Sequence, residues 1–177
     1  MDRLKVEFAA RGLPPVEVGI GMNTGTMNLG DMGSEFRRAY TVLGDAVNMG
    51  SRIEGLTRHY GIRILCGEQT RDEARDWTFR FVDKVQVKGA SRAFRVYEPI
   101  CPTAELDPAT ESRLARWHGA YWKFSEQNFD GAARDLDALI AEEPDVRLYQ
   151  LYRERVEEFR KQELPAHWDA AMVMAEK

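Results

Sequence analysis

Only two cysteines, Cys66 and Cys101, occur in 177 residues, far apart and outside any CxxC or Cys/His spacing. That argues against a disulfide framework and a zinc site, and it suits a reducing cytoplasm. The three histidines, His59, His118 and His167, form no ligand cluster and are read as surface or helix-packing residues. No apolar run approaches the roughly 20 residues needed to span a bilayer. The N-terminal MDRLKVEFAARGLPP lacks the continuous apolar centre and small-residue cleavage site of a secretory signal. A Walker lysine is also missing. The glycines of GIGMNTG, with Gly30 and Gly33, punctuate strands and turns instead of opening into a helix, so they are read as turn residues, not as a phosphate loop.

What is present suits one globular domain with an appendage. Hydrophobic residues make up 44% and charged residues 31%. The net charge of −4 is unevenly placed: residues 1–100 carry 15 basic and 13 acidic side chains, residues 101–177 carry 10 and 16. The mildly basic first part can receive an anionic ligand, and the acidic remainder argues against a nucleic-acid surface.

Periodicity divides the chain further. Residues 2–11 read as a helix stopped by Gly12. Val16, Val18 and Ile20 alternate at period two, and Asn23-Thr24-Gly25 supplies turn chemistry before Met27 and Leu29, which predicts a hairpin. Tyr40–Leu43 reads as a strand ending at Gly44, with Asp45 capping a helix to about Tyr60. Strands are expected over 62–66 and 79–87, with a short helix over 69–76 between them. The chain then returns through Phe94, Val96 and Tyr97 as a second hairpin. CPTAELDP, residues 101–108, reads as a linker. From Ala109 the pattern is helical throughout, in three successive helices. Trp117 to Pro144 resembles a single tetratricopeptide unit, and a helical cap packed on the first domain is the competing reading.

On the helix after Gly44, Ala46, Met49, Ile53, Leu56 and Tyr60 form the buried stripe, and Asp45, Asn48 and Arg52 a polar stripe beside it. An amide and a guanidinium one turn apart, near a helix N-terminus, suit a phosphate whose negative charge grows during reaction.

The ordered segments VGIGMNTGTMNLGDMGSEFRRAYTVLGDAVNMGSRIEG, ILCGEQT and VQVKGASRAFRVYE resemble the class III adenylate and guanylate cyclase catalytic domain. The resemblance implies a ferredoxin-like fold that works as a dimer with ATP or GTP between subunits. It also implies Mg2+ or Mn2+ activation of the ribose 3′-hydroxyl for attack on the α-phosphate, giving cyclic AMP and pyrophosphate. By position, Asn48 matches the family's ribose-orienting asparagine and Arg52 the arginine that stabilises the α-phosphate. Lys88 matches the lysine on the terminal phosphates. Arg37, with Arg38 as its rival, matches an arginine near the phosphates. Thr41 occupies a base-selecting position in the manner of bacterial adenylate cyclases, so ATP is expected before GTP.

The family's two metal-binding aspartates precede the helix with which this sequence opens, and Asp31 and Asp45 are explained by local turn and capping roles. No metal ligand is therefore assigned. The expected fold class is α/β (α+β): an incomplete ferredoxin-like cyclase domain lacking its N-terminal strands over 1–100, a linker over 101–108, and an all-helical, tetratricopeptide-like tail over 109–177. The expected function is the ribose- and phosphate-stabilising half of a cyclase site, in a homodimer or heterodimer with another cyclase domain, in the cytoplasm and with no membrane segment. The alternative is a non-catalytic regulatory or interaction module.

Overall fold

Helix α1 (Asp2–Ala10) ends at Gly12, which turns the chain with φ +65°, as its sequence signal predicts. The computed structural model describes residues 2–14, 17–34, 37–87, 92–165 and 167–174.

The first predicted hairpin does not form. Strand β1 (Ile20–Met22) and strand β2 (Asn28–Ser34) belong to different sheets. β2 pairs antiparallel with β3 (Arg37–Leu43), whereas β1 pairs parallel with β4 (Ile64–Gly67). A parallel pair needs a long crossover, and helix α2 (Asp45–Tyr60) lies within it. Two residues explain the outcome. A side chain at Gly21 would collide with the α2 backbone at Gly50 and Glu54, so this glycine serves close helix–strand packing instead of a turn. Asn23 donates from Nδ2 to the Ala46 carbonyl at 3.0 Å, tying the chain after β1 to the first turn of α2.

Helix α3 (Glu68–Glu73) follows β4, and the second predicted hairpin forms from β5 (Trp77–Val87) and β6 (Phe94–Pro102). After a 3-10 turn at Thr103–Glu105 come α4 (Pro108–Ser125), α5 (Phe129–Glu142) and α6 (Arg147–Phe159). Asp107 caps α4 by accepting from the Ala109 and Thr110 amides at 3.0 Å each, with Pro108 in the first turn. The architecture is thus the expected mixed α+β arrangement with C-terminal helices. One correction applies at its end: after α6 stops at Phe159 the chain leaves the helices and adds β7 (Met172–Met174) parallel to β5. The five-stranded order is β1-β4-β6-β5-β7.

A continuous core links both parts. Ile53, Leu56 and Tyr60 of α2 and Leu65, Val82, Val85 and Val96 of the sheet join Trp117, Phe124, Leu136, Tyr152 and Val156 of the helices. The pairing of β5 with β6 shifts register between Phe81 and Asp83, which is how Val82 and Asp83, adjacent in sequence, both become buried. Polar groups of the helices serve the β5 backbone here. Trp117 Nε1 donates to the Phe81 carbonyl at 2.6 Å, Phe81 N–H donates to His118 Nε2 at 3.2 Å, and Tyr152 Oη donates to the Val82 carbonyl at 3.2 Å.

Candidate functional site

The strand-to-helix corner between β3 and α2 is made by Gly44, whose φ of +151° favours glycine. Gly44 is the N-cap, and its carbonyl accepts from the Val47 and Asn48 amides at 3.1 and 3.2 Å. This corrects the capping role expected of Asp45. No side chain caps α2; Asp45 is its first residue and acts on the exposed amides through charge alone.

The two stripes of α2 separate as their spacing predicts. Ile53, Leu56 and Tyr60 are buried and Ala46 and Met49 half-buried, while Asp45, Asn48 and Arg52 are all exposed. Neither Asn48 nor Arg52 makes a side-chain hydrogen bond or ion pair among the described residues. Both polar groups are exposed on one face of the helix, Asn48 at its first turn and Arg52 near its middle.

Of the remaining predicted residues, Thr41 and Arg37 stand on β3, ahead of this pair in the chain. Thr41 is half-buried on β3, opposite Gly30. Arg37 opens β3, facing Ser34, and extended strand carries it about 20 Å from Leu43. The side chains of Arg37 and Arg38, and Lys88 entirely, fall outside the described residues.

Asp31 lies exposed on β2, in register with Tyr40, and Asp45 lies exposed at the start of α2. No group of three or more His, Cys, Asp or Glu side chains that could hold a metal ion occurs among the described residues. The donor set here does not fit a divalent-metal pair, and no catalytic step is derived through one.

Two contacts that hold the ends of α2 were not legible as such in sequence. Asn23 read as turn chemistry, yet it holds the first turn of α2. Asp83 read as an ordinary strand residue, yet its fully buried carboxylate accepts from Tyr60 at the end of α2 and from Arg155 of α6, each at 2.6 Å. Burial, and then the Asp83 charge, pushes the Tyr60 hydroxyl far above its ordinary range. Burial is the largest influence on Arg155 and works against its charge, but Asp83 together with Tyr152 and Tyr60 outweighs it, so the guanidinium stays firmly protonated. A cleft of about 580 Å³ lies elsewhere, among Phe81, Tyr97, Tyr121 and Trp168.

The family model described as the adenylate and guanylate cyclase catalytic domain matches residues 2–98. An adenylate cyclase of Anabaena cylindrica is 42% identical over 101 residues, 55% of this chain and 20% of that protein. Adenylate cyclase 1 of Rhizobium meliloti is 36% identical over 92 residues, 51% of this chain and 14% of that protein. The crystal structure of the adenylyl cyclase CyaB from P. aeruginosa aligns with a TM-score of 0.51 at 28% identity, covering 60% of this chain and 55% of that one. The chain spans a fifth or less of the length of these two curated relatives.

Proposed function

Because the chain belongs to the adenylate and guanylate cyclase catalytic-domain family, we propose that it supplies the ribose- and phosphate-stabilising half of a nucleotide cyclase site. The site turns ATP into cyclic AMP and pyrophosphate when another cyclase domain brings the metal-binding carboxylates. The observation that carries this reading is the exposed Asn48–Arg52 pair, one turn apart in the first half of α2 and without a partner among the described residues.

In this reading the Asn48 amide orients the ribose. The Arg52 guanidinium neutralises charge that grows on the α-phosphoryl oxygens as the 3′-oxygen attacks and pyrophosphate leaves. Lys88, and Arg37 or its neighbour Arg38, hold the terminal phosphates, and Thr41 contributes to the choice of base. Mg2+ or Mn2+ is expected at carboxylates outside this chain.

A second cyclase domain, identical or different, is the proposed partner. The β2–β3 ribbon leaves Leu29 61% and Tyr40 70% exposed, and the β1 edge leaves Val18 and Ile20 exposed. Apolar surface of this kind favours a covering partner. Residues 1–100 form the cyclase part in this proposal, 101–108 its connection, and 109–177 a tetratricopeptide-like tail. No helix among the described residues is long and apolar enough to cross a membrane, and a cytoplasmic site of action is part of the same proposal.

The test is complementation. The chain by itself is expected to make no cyclic AMP from ATP with Mg2+ or Mn2+, and to gain activity when mixed with a cyclase domain that has intact aspartates and a substituted transition-state arginine. Turnover by the purified chain, lost on Asn48→Ala, would contradict the half-site. Failure of two folded chains to complement would favour the regulatory module.

A further inference from the structure

Asp83 has no exposed surface, and its carboxylate is shared by three elements. Oδ2 accepts from Tyr60 Oη and from Arg155 Nη1 at 2.6 Å each, and Oδ1 accepts from the Lys84 amide at 2.7 Å. Tyr60 is the last residue of α2, Asp83 lies in β5, and Arg155 lies in α6. Arg155 is also steadied from its other side, with its guanidinium 4.7 Å from the centroid of the Tyr152 ring.

We propose that Tyr60, Asp83 and Arg155 form a positioning hub through which the C-terminal helices set α2 against β5, and with it the alignment of the phosphate-binding residues. The consequence for nucleotide rests on the roles given above to Asn48, Arg52 and Lys88; the mechanical coupling does not.

The lever arms make the case. Asn48 lies twelve residues before Tyr60, about 18 Å along a helix. Val87, after which Lys88 follows, lies four residues beyond Asp83, about 13 Å along a strand. A tilt of about 5° at the hub therefore moves Asn48 by about 1.5 Å, and a misplacement of about 1 Å can cost about 10²-fold in a reaction that depends on aligned groups. Charge-assisted hydrogen bonds fix direction as well as distance. A hydrophobic replacement of a buried ion pair is often as stable or more so, so stability alone is a poor reason for this one. What the pair adds over an apolar contact is a defined register between α2, β5 and α6.

The experiment compares Asp83→Asn and Arg155→Lys with Leu139→Ala, a core substitution in α5, in the full chain. Amide hydrogen exchange along residues 45–52 is read in the chain, and equilibrium affinity for ATP in its complemented pair with the second cyclase domain. Both hub variants are expected to speed exchange over 45–52 and weaken ATP binding about tenfold or more, and Leu139→Ala to lower Tm with neither effect. Tyr60→Phe, which keeps the ring and loses one hydrogen bond, is the milder variant should Asp83→Asn not fold. The hub is overturned if the folded variants lower Tm while exchange over 45–52 keeps its wild-type rate, or if Leu139→Ala speeds it equally. A complemented wild-type pair that binds no ATP would count against the nucleotide reading alone, since the exchange measurement decides the hub independently.

Discussion

The Trp117 indole N–H donates to the Phe81 carbonyl at 2.6 Å, joining the first C-terminal helix to the middle of β5. Both partners lie beside the register shift of the β5–β6 hairpin, so this bond satisfies a carbonyl at an irregular point of the sheet. Trp117→Phe keeps most of the ring volume and orphans that carbonyl. The expected loss is about 1–3 kcal/mol, read as a lower urea midpoint with an unchanged m-value.

His118 accepts the Phe81 amide on Nε2, which requires that nitrogen to be unprotonated. Burial, reinforced by Arg80, holds its pKa below the ordinary value of 6.5. Burial, followed by Arg155, does the same at His59. In the window between the lowered folded values and 6.5 the unfolded chain binds more protons, so stability rises with pH. Stability from both groups is fully present above about pH 7 and is lost as pH falls through 6.5 towards the folded values. Urea midpoints measured from about pH 7.5 down to about pH 5 are expected to fall, and His118→Gln, which still offers an acceptor, is expected to flatten the slope.

Arg52 presents paired donors from an exposed face of α2. In the complemented cyclase, Arg52→Ala is expected to lower kcat by about 10²–10³, the scale for removing a donor to developing charge. Arg52→Lys keeps the charge without the planar fork and is expected to recover only part of that loss. Circular dichroism and Tm are expected to match wild type for both, because the side chain has no partner among the described residues.

Gly21 and Gly44 are constrained for different reasons. A methyl group at Gly21 meets the α2 backbone, and Gly44 takes φ +151°. Gly21→Ala is expected to cost about 1–3 kcal/mol through overpacking, and Gly44→Ala a similar amount through backbone strain. Both are measured by chemical denaturation. Both are also expected to lower complemented activity more than their stability loss accounts for, since each acts on the seating of α2.

Much of this was readable without coordinates. The apolar stripe of α2, the polar face holding Asn48 and Arg52, the β5–β6 hairpin and the three C-terminal helices follow from residue spacing, because a period of 3.6 or 2 is a property of neighbouring residues. The ordered motifs carried the family in the same way. Strand partnership was a different matter. Alternation marked a strand near Ile20, but its parallel partner is β4, reached only after α2; the turn residues at 23–25 suggested a nearer mate. β7 is three residues long and has no periodicity to read. Asp83 meets Tyr60, 23 residues earlier, and Arg155, 72 residues later. Local order in the chain determined which faces are apolar and where polar chemistry stands. Only the tertiary structure decided what those faces meet, because a buried charge finds its partners by packing across the chain, and no short-range pattern encodes that distance.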